Sequence, residues 1–176
     1  MSILDYFKNT QKNTNSSNQI NLENININEI YIYTDGSCIN NGKKNAQAGI
    51  GVYCVDFEIS EKLQGLQTNQ RAELFAILKA LLTVNILKYN KITIYTDSLY
   101  SINCITKWIK NWKKNGWLDK NKKPVKNKDL IENIDRILIK YTHINFIHIF
   151  SHTNLQDIHS INNDKADILA KKATET

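Results

Sequence analysis

Five short runs of β-branched and aromatic residues, with helical segments placed unevenly between them, constrain this chain most. The runs are Ile30 to Thr34, Gly49 to Val55, a shorter one from Lys62 to Gln67, Lys91 to Thr96, and Ile144 to Phe150. Only loops rich in Asn and Gly separate the first three, which therefore read as an antiparallel meander. The period then changes. From Gln70 to Val84, Leu74, Ile77, Leu78, Leu81 and Leu82 recur on one helical face. Further helices are expected from Ser98 to Lys114, Lys128 to Ile139 and Asn163 to Ala173, with one short helix near Asn115 to Trp117. The order βββαβααβα predicts an α/β protein, a five-stranded mixed sheet with helices packed on it.

The 176 residues suffice for one well-packed core. Residues 9 to 28 are mostly Asn, Gln, Ser and Thr. Such a stretch buries too little to offset its chain entropy, so residues 1 to 28 read as a disordered tail and 29 to 176 as the folded domain. The net charge of +6 favours a polyanionic partner without saying anything about fold. Cys38, Cys54 and Cys104 form no CxxC pair and read as free thiols of a reducing compartment. The apolar start Ile3-Leu4 is interrupted by Asp5 and Lys8. No secretory leader and no membrane span is expected, and the protein reads as intracellular, in cytoplasm, nucleus or an infected host cell.

Four acids stand out by position. Asp35 ends the first strand and Asp97 the fourth. Glu73 lies early in the first long helix, and Asp167 lies within the last. Singly, each has an ordinary reading as a solvated acid, and Asp97 could cap the helix that follows it. Together, four carboxylates from four elements imply one cluster that needs hard cations, because like charges at close range cannot all stay ionised. Adjacent first and fourth strands would bring Asp35 and Asp97 together at one sheet edge.

The segments Thr34-Asp35-Gly36-Ser37-Cys38, Thr68-Asn69-Gln70-Arg71-Ala72-Glu73, Tyr95-Thr96-Asp97-Ser98 and Asp167, with the run Trp108 to Trp117 and Lys122 to Asn127, carry a resemblance. From about Ile30 to Ala173 the chain resembles a type 1 ribonuclease H. The resemblance implies a ribonuclease H-like fold and an endonuclease that hydrolyses the RNA strand of RNA–DNA hybrids, leaving 5′-phosphate and 3′-hydroxyl ends. It implies two Mg²⁺ ions, with Mn²⁺ as a substitute, held by Asp35, Glu73, Asp97 and Asp167. Asp35 would bridge the ions, Glu73 and Asp97 would complete one site, and Asp167 the other. His152 matches the family's loop histidine, suited to proton transfer. Ser151 stands where the family usually has glycine, and the loop from Thr153 to Asn162 is longer, which leaves His159 as a rival. His143 and His148 read as structural.

Nine lysines crowd the segment from Lys107 to Lys128, interleaved with Trp108, Trp112 and Trp117. Lysines supply sequence-independent phosphate contacts and aromatics pack on sugars or bases. The segment, about 107 to 128, resembles the family's basic protrusion, with Lys113 and Lys114 among its phosphate contacts. The resemblance puts Trp108 in the DNA-strand groove, whereas Trp112 continues the apolar face of Ile102, Ile105 and Ile109. It also puts Asn41, Asn69 and Gln70 in the shallow groove that grips the strands, and Thr68 and Asn127 in a pocket for a DNA phosphate. Leu66 replaces an arginine common two residues before Thr68. Near the N-terminus, Ile3, Tyr6 and Phe7 resemble a sliding-clamp-binding box without its leading glutamine. A tail that packs on the domain or has no role is the plainer reading. The implied partner is an RNA–DNA hybrid, bound by a monomer. A catalytically silent hybrid-binding protein and a detached reverse-transcriptase nuclease domain are the competing readings.

Overall fold

The first strand, β1 (Glu29–Ile39), is buried on both faces over most of its length and organises everything around it. It lies in a computed structural model that describes residues 28–150 and 157–175. Ile3, Tyr6, Phe7 and His152 lie outside the described residues. β1 pairs antiparallel with β2 (Gln47–Tyr53), which pairs antiparallel with β3 (Glu58–Lys62). On its other side β1 runs parallel to β4 (Lys91–Thr96), and β4 runs parallel to β5 (Ile144–His148). The sheet order is β3-β2-β1-β4-β5. The expected mixed sheet, its meander and the neighbouring first and fourth strands are all present.

Alternation along β1 and β4 makes two unlike faces. Ile30, Ile32, Ile92 and Ile94 belong to the main core with Leu74, Ile77 and Leu81 of helix α1 (Asn69–Thr83) and with Ile131 and Ile134 of helix α4 (Lys128–Lys140). The opposite face carries Tyr33 and Tyr95, packed with Ala166 of helix α5 (Ile158–Glu175). Between β4 and α4 run helices α2 (Leu99–Asn103) and α3 (Ile109–Lys114), joined by a π turn over Cys104–Trp108.

Several expectations need correction. The third strand is Glu58–Lys62, not Lys62 to Gln67. Gln67 folds the following segment into a turn: its amide nitrogen donates to the carbonyls of Leu63 and Gly65, and its Oε1 accepts from the Ala48 amide. The last helix starts at Ile158, not Asn163, because Asp157 caps it, accepting from the amides of His159 and Ser160. His159 is therefore a helix residue rather than a loop residue. The expected helix from Ser98 to Lys114 is interrupted by the π turn, and Leu82 is exposed rather than in the core. No helix forms near Asn115 to Trp117; the chain turns there and returns through a bridge between Leu118 and Pro124. Asn28, the first described residue, donates from its side-chain amide to the Lys88 carbonyl. Among the described residues no helix is long and apolar enough to cross a membrane.

Candidate active site

Parallel pairing of β1 with β4 runs in register up to Thr34 opposite Thr96, so Asp35 and Asp97 follow side by side; Asp35 does not end its strand as expected, because β1 continues to Ile39 by antiparallel pairing with β2. Glu73 joins them from α1, because Gly36 lets that helix touch the strand. A methyl placed on Gly36 would lie 2.3 Å from the Glu73 backbone nitrogen, closer than any side chain tolerates. Ligand oxygens of Asp35, Glu73 and Asp97 lie within 4.8 Å of one another. Asp97 does not cap the next helix. Ser98 does, accepting from the Ser101 amide, and this leaves the Asp97 carboxylate free of that role.

Burial, with the charges of Asp97 and Asp167, pushes the Asp35 carboxyl up to about 7. Burial, then the charges of Asp35 and Asp97, raises Glu73 well above the ordinary carboxylate range. Glu73 Oε2 is buried without a hydrogen-bond partner, while Oε1 accepts from Asn69 Nδ2 at 3.5 Å. A buried acceptor facing two further carboxylates fits a hard divalent cation, whose ligands are oxygens.

Asp167 stands outside that group of three. Its Oδ2 is held 2.6 Å from Lys171 Nζ, one turn along α5. Its charge still bears on Asp35, as does the opposing charge of Lys171. Position follows from close packing of α5 on β2. A methyl on Gly51 would meet the Ala166 carbonyl at 1.9 Å, and one on Gly49 would meet Ala173 Cβ at 2.6 Å.

The other histidines separate cleanly. His148 Nε2 lies 3.1 Å from the Asp97 carbonyl and His143 Nε2 lies 3.3 Å from that of Ile86. His159 stacks on Tyr95 at 4.4 Å between ring centroids, and its Nδ1 lies 2.9 Å from the Tyr33 hydroxyl. It is eight residues, about 12 Å of helix, before Asp167.

The candidate nucleic-acid residues form two groups. At the start of α1, Thr68 is the N-cap and accepts from the Arg71 amide. Asn41 Oδ1 accepts from the Asn69 amide, tying the β1–β2 loop to the helix, and Gln70 is exposed. Asn127 faces the same helix through Arg71 Nη1, at 3.4 Å. Leu66 is exposed. In the second group, Trp108 is 40 % exposed and edge-on to Tyr100 and Trp112. It lines a groove of about 630 Å³ with Tyr100, Asn111, Trp112, Asn115 and Leu118. Trp112 stacks on Trp117 and packs against the core. All nine lysines from Lys107 to Lys128 are exposed. Lys113 is ion-paired with Asp135, whereas Lys114 points from the end of α3 with its charge toward solvent.

Two residues of this region make contacts that were not read from the sequence. Lys171 was findable from its spacing of four after Asp167. Arg71, which reaches Asp129 and Asn127 across the chain, was not.

A family model described as RNase H matches residues 27–175. Ribonuclease H1 of Mus musculus is 39% identical over 149 residues, covering 83% of this chain and 50% of that protein. Ribonuclease H of Ruthia magnifica is 40% identical over 154 residues, covering 85% of this chain and 97% of that protein. The chain thus spans about half the length of its mammalian relatives and nearly all of the bacterial one. Among solved structures, the foamy viral protease–reverse transcriptase in complex with an RNA/DNA hybrid superposes with a TM-score of 0.71 at 26% identity, covering 92% of this chain and 22% of that one.

Proposed function

This chain belongs to the ribonuclease H family, and on that premise we propose that it is an endonuclease hydrolysing the RNA strand of RNA–DNA hybrids to 5′-phosphate and 3′-hydroxyl ends. The observation that carries this reading is the convergence of Asp35, Glu73 and Asp97 from within β1, from α1 and from the end of β4, with one Glu73 oxygen buried and unpartnered. Asp35, Glu73, Asp97 and Asp167 would hold two Mg²⁺ ions, with Mn²⁺ able to substitute. Bound there, the cations supply an acidified attacking water and charge neutralisation at the leaving 3′ oxygen.

The chain's own residues do the rest. Burial of Asp35 and Glu73 keeps water from screening the site, so each negative charge acts at full strength on whatever cation enters. Asn41, Asn69 and Gln70 surround the start of α1 with short amide donors and acceptors, the chemistry that distinguishes a strand bearing 2′-hydroxyls. Thr68 and Asn127 bind a phosphate of the DNA strand. Trp108 offers an exposed ring to a sugar or base, and Lys113 and Lys114 add sequence-independent attraction. His152 serves as the proton-transferring loop residue. Residues 29 to 176 act as the catalytic domain of an intracellular monomer, with about 107 to 128 as its substrate-gripping protrusion.

The test is cleavage of an end-labelled hybrid in Mg²⁺ by wild type and Asp97→Asn, alongside RNA, DNA and hybrid duplex controls. RNA-strand cutting lost in the variant and with chelator is the expected result. Tight hybrid binding without cutting, in Mg²⁺ or Mn²⁺, would overturn it in favour of a binding protein.

A further inference from the structure

Arg71 lies outside the carboxylate cluster, yet it makes more directed contacts than any other side chain at the start of α1. Its backbone N–H donates to Thr68 Oγ1 at 3.3 Å. Its Nη1 donates to Asn127 Oδ1 at 3.4 Å and to Asp129 Oδ1 at 2.9 Å, and its Nη2 donates to Asp129 Oδ2 at 2.6 Å. We infer that Arg71 is a positioning residue that turns Thr68 and Asn127 into an anion-selective pair, by occupying their acceptors and leaving their donors free. This rests on the reading of Thr68 and Asn127 as a pocket for a DNA phosphate.

The argument is one of donors and acceptors. A threonine hydroxyl can accept as well as donate. Here its oxygen already accepts from a backbone amide, so its own proton is the group left for a ligand. An asparagine amide has one acceptor end and one donor end. A guanidinium has only donors, so the Oδ1 end must face Arg71 and the NH₂ end must face away. One of those two N–H groups reaches the Tyr100 hydroxyl, and the other is left. Both side chains therefore turn donors outward, which suits the oxygens of a phosphate and rejects a cation.

Asp129 explains why the guanidinium is not itself the phosphate ligand. Its carboxylate takes a two-point grip on Arg71 and matches its charge. Leu66, two residues before Thr68, adds no charge either. The pocket thus depends on the direction of neutral donors, and direction is what Arg71 controls. Two costs fit a residue held for position. Arg71 Nε is buried without a partner. Asn127 sits in the left-handed region at φ 57°.

The experiment scans single methylphosphonate substitutions along the DNA strand of a hybrid, measuring KM and kcat for wild type, Arg71→Ala and Arg71→Lys. In wild type one position should raise KM several-fold, marking the pocket phosphate. Both variants should raise KM on the natural hybrid by roughly fivefold to tenfold, the scale of one ordinary lost hydrogen bond, with the effect falling on KM rather than kcat. At the marked position both variants should respond less than wild type, because Asn127 has lost the side chain that aims it while Thr68 is still held by the residue-71 backbone N–H. Lysine keeps the charge but cannot hold Asp129 and Asn127 together, so it should not rescue. It also serves if alanine fails to fold. Either variant retaining the full wild-type response at the marked position overturns the inference. A wild type that cleaves but responds at no position removes the phosphate pocket itself, and the inference with it.

Discussion

Lys171 Nζ lies 2.6 Å from Asp167 Oδ2, so the carboxylate at the margin of the acidic cluster already has a cation beside it. A divalent ion that uses Asp167 must compete with that ammonium. Lys171 is more than half exposed, so solvent weakens the competition. Lys171→Gln should tighten Mg²⁺ binding by roughly twofold to fivefold in calorimetric titration, the equivalent of an exposed ion pair. Unchanged or weaker binding would show that Lys171 is a bystander.

Metal-free protein should lose stability as the pH rises. A carboxyl raised to about 7 from 3.8 binds its proton more tightly folded than unfolded. The stability this lends is whole below about pH 4 and is lost as the pH climbs through about 7, a swing of roughly 4 kcal/mol at most. Thermal melts in chelator from pH 5 to pH 8.5 should show the fall. Saturating Mg²⁺ should flatten it by binding the folded state alone. A melting temperature that rises over this range in chelator would contradict the burial of Asp35.

Glu73→Gln replaces the buried, partly unpartnered carboxyl with a neutral shape. At pH 8.5 without metal it should stabilise the fold by about 2 kcal/mol, or roughly 4–8 °C. Toward lower pH, as the raised carboxyl takes up its proton, the difference should shrink. Cleavage should fall at least about a hundredfold at any pH. A variant less stable than wild type at pH 8.5 would mean that the carboxylate is stabilised by something other than a bound cation.

Trp108 and Trp112 are four residues apart and should fail differently. Trp108→Ala removes an exposed ring, so it should raise KM with little change in melting temperature. Trp112→Ala removes a ring packed on the core and on Trp117, and should cost about 3 kcal/mol. Paired melts and Michaelis curves decide this; equal loss of stability in both would end the distinction.

How far the sequence carried the fold depended on the kind of side chain doing the packing. Lys91 to Thr96 was legible to the residue, because its apolar residues are buried in the sheet. The meander and the parallel pairing followed from loop lengths and strand order. The last helix was misplaced by five residues, because its buried face opens with Ser160, Asn163 and Ala166, which hydrophobic patterning does not flag. Its capping residue, Asp157, was visible as a residue type but had no apolar run behind it. The third strand was misplaced because the Gln67 side chain replaces the ladder that a strand would have used. In the site, Asp97 was legible as a strand-end acid and Glu73 and Asp167 as helix residues, whereas Asp35 lies within β1, which runs on past its apolar residues to Ile39. The Ser98 cap and the link from Arg71 to Asp129, 58 residues apart, were not, since neither leaves a local pattern.

Gly51 packs against the α5 backbone with no side chain between them. Gly51→Ala should therefore push α5 off the sheet and cost about 3 kcal/mol or more, measured by denaturant titration. Substitution without effect would mean that the helix can retreat freely.

The same contact acts as a gauge. A cleft lined by flexible side chains can widen to suit a larger ion, but main chain against main chain has no such slack. The span from Asp167 to Asp35, which pairs with Gly51 across β1 and β2, is thereby tied to the thickness of two backbones. Mg²⁺ bonds to oxygen at about 2.1 Å and Ca²⁺ at about 2.4 Å. A rigid frame gives little room to absorb that difference, so the two missing methyl groups in β2 would bear on which cation the proposed site accepts as much as the carboxylates themselves would.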